Sequence, residues 1–199
     1  MKVIGITGGI GAGKSLILAY VSQNYRAQVI DADQAVHRLQ RPGSLCYDAI
    51  VSAFGTDILK EDGTIDRGHL GDIVFANEAQ LAQLNRIVHP FVKKYIVETI
   101  ETIRRNRGAD YIFIEAALLI EEHYDEICDE LWYIYVRPEI RKERLIKSRG
   151  YTEEKTKQIM ASQLEEEEFR RACQVVIDNN GSAGHTYQQV REVLMCQNN

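Results

Sequence analysis

The chain has 199 residues, 45% hydrophobic and 27% charged, with a formal net charge of −5. That length suits one generous domain, or one core carrying small inserted subdomains, and the composition excludes a disordered or collagen-like chain. The acidic balance argues against a nucleic-acid-coating surface, so a polyanionic ligand would have to be held by a local positive site.

The first expected element is an apolar strand over Val3–Thr7, followed by a glycine-rich loop and a helix continuing through Leu16–Gln23. Further strands are expected at Gln28–Asp31, Tyr111–Glu115, Leu131–Val136 and Gln174–Asp178, each short, apolar and followed by polar or glycine residues. Their alternation with helical segments predicts a buried parallel sheet with helices on both faces. Two stretches break the alternation. Residues 34–108 are mainly helical in pattern, with Leu70, Ile73, Val74, Leu81, Leu84, Ile87 and Val88 at three-to-four spacing, and are too long for one crossover. Residues 138–171 are helical and highly charged, and their Glu165–Glu168 run suits a solvated face. The expected organisation is therefore a core of residues 1–33, 109–137 and 172–199, a helical insertion at 34–108 and a helical lid at 138–171.

The apolar runs Ala116–Ile120 and Leu131–Val136 are far too short to span a bilayer, and no cleavable signal pattern precedes the first strand. Cys46, Cys128, Cys173 and Cys196 lie far apart without C-x-x-C spacing. They suit mostly buried thiols in a reducing compartment, which makes the cytoplasm the expected address.

The strongest signal is Gly8-Gly9-Ile10-Gly11-Ala12-Gly13-Lys14-Ser15, which satisfies G-x-x-x-x-G-K-[ST] through Gly8, Gly13, Lys14 and Ser15. Glycines let the backbone curl so that successive N–H groups of Gly9, Gly11, Ala12, Gly13 and Lys14 face one anion, and the following helix, from Ser15 and Leu16 onward, adds its positive end. Lys14 is expected to reach the β- and γ-phosphates of ATP, and the Ser15 hydroxyl to bind Mg²⁺. The bland alternative is a glycine-rich turn with a surface lysine. The second strand ends in Asp31-Ala32-Asp33, at the end of a parallel sheet where ligands bind. A carboxylate there suits a base for an attacking hydroxyl; the equal alternative is that Asp33 caps a helix beginning at Gln34. Strand alternation would put Asp31 and Asp33 on one side, so both remain candidates.

The combination of this loop with Asp31-Ala32-Asp33, with Ile87-Val88-His89-Pro90 deep in a helical insertion, and with Leu118-Leu119 and Glu121 after the third strand resembles the dephospho-CoA kinase family. Gln163 and Val176-Ile177-Asp178-Asn179 also match, and the likeness runs in order along nearly the whole chain. It implies a P-loop NTPase-type five-stranded parallel sheet flanked by helices, with an inserted helical substrate subdomain and a helical lid. It implies ATP-dependent phosphorylation of the ribose 3′-hydroxyl of dephospho-CoA, the last step of coenzyme A biosynthesis, with no nucleic-acid or membrane partner, and leaves the oligomeric state open. Carried over by position, Asp33 is the catalytic base, Lys14 and Arg144 are catalytic cations, Asp31, His89 and Leu118 belong to the acceptor pocket, and Asn179 lies near the adenine. For His89 a structural role at a helix junction is the competing expectation.

The chain departs from the family pattern in places. Glu115 and Ala117 stand where an Asp and a Pro are usual, which rearranges any carboxylate support of Mg²⁺ and frees a φ angle. Arg141 replaces a glutamine common in the lid. The second lid arginine is Ser148 here, with Arg149 beside it; Gly150 would end the helix and let Arg149 turn inward. Arg141 and Arg144, three apart, share a helical face. A nucleoside- or shikimate-type kinase would share the loop, lid and acceptor carboxylate, and a relative that binds nucleotide without transfer is a further alternative. A GTPase switch should carry N/T-K-x-D after a late strand; Leu59-Lys60-Glu61-Asp62 lacks the first residue and follows no such strand.

Overall fold

The computed structural model describes residues 1–196. In chain order the elements are β1 (Lys2–Thr7), α1 (Lys14–Asn24), β2 (Ala27–Asp31), α2 (Ala32–Leu39), α3 (Leu45–Phe54), α4 (Arg67–Phe75), α5 (Glu78–Arg105), β3 (Tyr111–Glu115), β4 (Glu130–Tyr135), α6 (Pro138–Arg149), α7 (Glu153–Ala161), α8 (Glu166–Ala172), β5 (Val175–Asp178) and α9 (Ala183–Cys196). The strands form one parallel sheet in the order β2-β3-β1-β4-β5. The chain divides into two compact units, one of residues 1–30 with 107–199 and one of residues 31–106.

In the first unit β1 is central because it is apolar on both faces: Val3, Ile4 and Ile6 are all buried. It pairs with β3 in the register Ile4↔Phe113 and with β4 in the register Ile6↔Trp132. Period-two alternation sends Ile4, Ile6, Tyr111, Phe113, Trp132 and Ile134 to one face, where Ile17, Leu18 and Val21 of α1 and Val190 and Leu194 of α9 cover them. The rings of Phe113 and Trp132 meet edge to face at 5.6 Å. On the opposite face Phe169 of α8 stacks on Tyr133 at 4.8 Å. Gly5 belongs to this face, and a Cβ there would fall 2.6 Å from a Leu131 methyl, so only glycine fits. The expectation that every strand is buried fails at β2, where Gln28 and Val29 are exposed. This strand is at the edge of the sheet, and one flank carries no further strand. The Glu165–Glu168 run is solvated as expected, and it also starts α8: the Glu165 N–H donates to Glu168 Oε2 at 2.9 Å.

In the second unit α2, α3 and α4 each pack on the long helix α5. Their contact stripe includes Leu70, Val74, Val88, Val92 and Ile96, all buried. Pro90 lies inside α5. It removes the N–H that would serve the Arg86 carbonyl and costs a helix about 3 kcal/mol. Burial of Val88, Val92 and Ile96, each contributing about 1.5–3 kcal/mol, outweighs that cost, so the helix continues through it. His89 thus stands in mid-helix, which corrects the expectation of a junction.

All four cysteines are free, with Cys46 and Cys173 buried and Cys196 exposed. Burial pushes the Cys128 and Cys173 thiols up to about 12. Among the described residues no helix is long and apolar enough to cross a membrane.

Phe113→Ala should cost about 3–5 kcal/mol of stability, the range for truncating a fully buried aromatic. Urea unfolding monitored through Trp132 measures it, and a loss under 1 kcal/mol would show that this face is not the core.

Candidate functional site

The loop after β1 owes its shape to backbone that only glycine adopts readily. Gly11 and Gly13 have φ of 81° and 86°, in the left-handed region. The turn closes with Ala12 N–H donating to the Gly9 carbonyl at 3.0 Å. Gly13 serves as the N-cap of α1, and no side chain caps the helix. The first amides of α1 therefore end at the loop with their positive end offered to an anion.

Lys14 opens α1. Its ammonium donates to the Gly8 carbonyl at 2.9 Å and stands 3.7 Å from Glu115 Oε1 at the end of β3. Burial depresses the Lys14 pKa; Glu115 opposes this, while the charges of Arg141 and Arg149 push it further down. A cation in that position is undercompensated, and an added anion would recover the lost interaction. Ser15 follows on the exposed side of the helix start, and its hydroxyl has no hydrogen bond among the described residues.

One helix of the charged segment, the turn before α8 and the residue after the last strand hold the loop. From α6, the Arg141 Nε donates to the Ile10 carbonyl at 3.0 Å. Gln163, between α7 and α8, accepts from Ile10 N–H at 3.1 Å and also from Arg141 Nη2. Asn179 follows β5 and is only 2% exposed. Its Nδ2 donates to the Ala12 carbonyl at 2.7 Å, and its Oδ1 accepts from the Thr186 hydroxyl at 2.8 Å. The Asn179 backbone is also engaged: its N–H donates to Tyr135 and its carbonyl accepts from Arg144 Nη2 at 2.9 Å. Asn179 is thus a brace beneath the loop, with its polar groups spent on protein. A Cβ on Gly13 would collide with its amide, a second reason for glycine there.

Arg144 is half-buried and flanks Gly13, whereas Ser148 bonds back to the Arg144 carbonyl at 2.6 Å. Gly150 ends α6 in the left-handed region at φ 63°, as expected. Arg149 remains exposed, and its charge is felt at Lys14. Leu118, in the turns after β3, is 41% exposed, while its neighbour Leu119 is fully buried.

In the second unit Asp31 is the N-cap of α2. Its carboxylate accepts from Gln34 N–H at 3.0 Å and from the Gln34 side chain at 3.1 Å. The helix starts at Ala32, two residues earlier than expected, so the capping role considered for Asp33 belongs to Asp31. Helical turn also replaces strand alternation here, and the two carboxylates do not share a strand face. Asp33 sits exposed in the first turn, with no hydrogen bond or ion pair among the described residues.

Arg141 and Gln163 are the residues that spacing alone undervalued. Arg141 was one of several charges on a helix, and Gln163 lies 153 positions from the loop amide it caps. No sequence pattern carries a contact of that range.

Comparison with known proteins gives consistent results. The family profile described as dephospho-CoA kinase matches residues 2–185. A dephospho-CoA kinase of Aquifex aeolicus is 41% identical over 194 residues, covering 97% of this chain and 96% of that one. The solved dephospho-CoA kinase from Campylobacter jejuni superposes with a TM-score of 0.70 at 25% identity, covering 97% of this chain and 95% of that one. A shikimate kinase from Acinetobacter baumannii, 14% identical with a TM-score of 0.54 over 100% of this chain and 94% of that one, shares the fold.

Asn179→Ala should cost about 1–3 kcal/mol, because the buried Ala12 carbonyl loses its donor. ATP affinity should fall with it. Unfolding and nucleotide titration of the variant measure both, and a loop that binds ATP as before would deny Asn179 its bracing role.

Proposed function

The chain belongs to the dephospho-CoA kinase family, and from that premise we propose how its own residues transfer phosphate from ATP to the ribose 3′-hydroxyl of dephospho-CoA. The observation that carries the reading is a family match over nearly the whole chain, in which the glycine turn and its undercompensated lysine stand at the expected place.

The ATP phosphates lie on the turn from Gly9 to Ser15, held by loop amides, the first turn of α1 through Leu16, and Lys14. Asp33, directly after the carboxyl end of β2, accepts the proton of the 3′-hydroxyl. The freed oxygen attacks the γ-phosphorus, the bond to the ADP oxygen breaks, and ADP leaves with the electron pair. Lys14 and Arg144 neutralise charge on the oxygens during transfer, in a site already organised for it. Closure of residues 138–171 excludes water as a competing acceptor. In the acceptor pocket, His89 and the exposed surface of Leu118 contact the substrate, and Asp31 fixes the start of α2 that carries Asp33.

Mg²⁺ fits this donor set. The Ser15 hydroxyl is uncommitted and the Glu115 carboxylate stands beside Lys14, and hydroxyl and carboxylate oxygens are the hard ligands that Mg²⁺ takes. When bound it would neutralise charge on the β- and γ-phosphates. Glu115, longer than the usual Asp by one methylene, would support it with a rearranged side chain. The free thiols support a cytoplasmic address. A shikimate-type acceptor is not favoured, since the likeness to shikimate kinase is one of fold.

ATP-dependent appearance of CoA from dephospho-CoA tests the reading. Asp33→Asn should lower kcat about 10²- to 10⁴-fold while ATP binding persists. Lys14→Ala should abolish nearly all transfer with the fold intact. A D33N enzyme within a few-fold of the parent would remove Asp33 from the chemistry.

A further inference from the structure

We infer that Arg141 is a further binding residue for the nucleotide phosphates, and that Gln163 is the residue that positions it. The inference rests on the kinase reading above and deepens it at the same loop.

The guanidinium of Arg141 lies so close over Gly9 that any side chain at that position would overlap it. Of its five N–H donors, the one on Nε is used by the Ile10 carbonyl and one on Nη2 by Gln163. The Nη1 pair has no partner among the described residues, and Arg141 forms no ion pair there. Burial lowers its proton affinity without a carboxylate to restore it. Lys14 is close enough to be further depressed by the Arg141 charge. Two like charges brought together at a glycine turn, with only Glu115 against Lys14, raise the energy of the unliganded protein unless an anion joins them.

Gln163 solves a problem that a carboxylate could not. Its single Oε1 accepts from both the Ile10 N–H and the Arg141 guanidinium, so it ties arginine to loop from one point. Because the amide is neutral, it fixes the guanidinium without cancelling its charge. A glutamate would make the same two bonds and neutralise the cation, leaving less positive potential for phosphate.

The test compares the full-length parent with R141Q, R141K, Q163E, Q163L and the R141Q/Q163L double variant. It measures ATP affinity by calorimetric titration, CoA formation, and the thermal midpoint. R141Q should weaken ATP binding roughly ten- to a hundredfold, the range for losing hydrogen bonds to a charged group, and R141K should recover part of it. Q163E should weaken ATP binding by about tenfold or more while its thermal midpoint equals or exceeds that of the parent, a split that a merely structural role would not produce. Q163L should weaken binding by a clearly smaller factor in the R141Q background than in the parent, because part of the effect of Gln163 acts through Arg141 and the rest through the Ile10 N–H. The inference is overturned if R141Q binds ATP within twofold of the parent, if Q163E binds ATP as the parent does, or if Q163L costs the same factor in both backgrounds. A parent that binds ATP and makes CoA alongside such results would leave the kinase reading standing. A parent that binds no ATP would remove both.

Discussion

The structure turns on one constraint: a loop between β1 and α1 gathers left-handed glycines, uncapped helix amides and a partly buried lysine in one short turn. The loop cannot stabilise itself. Its glycines permit left-handed turns at Gly11 and Gly13 but add chain entropy, and Lys14 sits where burial disfavours its charge. The rest of the first unit compensates. Asn179 braces the Ala12 carbonyl from just after β5, Arg141 of α6 and Gln163 of the turn before α8 take both backbone groups of Ile10, and Glu115 offsets Lys14 from β3. Four separate chain segments converge on eight residues.

That convergence ties the fold to the chemistry. Each brace comes from the carboxyl end of a strand or from the helices that follow, which is where a parallel sheet gathers its loops. The central position of β1 keeps the loop anchored on both sides, by β3 and β4. The helical unit of residues 31–106 has a separate apolar core along α5.

The sheet, its five strands and the phosphate loop were legible in the sequence because they rest on local signals: short apolar runs closed by polar or glycine residues, and a fixed spacing of glycine, lysine and serine. The helices between residues 34 and 105 were legible for a related reason, through their three-to-four spacing. Contacts that depend on distant parts of the chain were not. Asp31 caps α2 because the chain turns two residues earlier than composition suggested, and Pro90 is carried through α5 by tertiary packing that propensity does not register. The side-chain bond of Asn179 to the Ala12 carbonyl links positions too far apart for any local pattern to carry. The roles of Arg141 and Gln163 emerge only when α6 and the turn before α8 are set against Ile10.

Amide hydrogen exchange across the glycine loop, measured with and without ATP, addresses the central claim most directly. Protection on adding ATP should concentrate in residues 9–16, where backbone N–H groups meet phosphate, and should be lost when Lys14 is replaced by alanine. Protection spread elsewhere, with the loop unchanged, would contradict the account of the loop as the phosphate cradle.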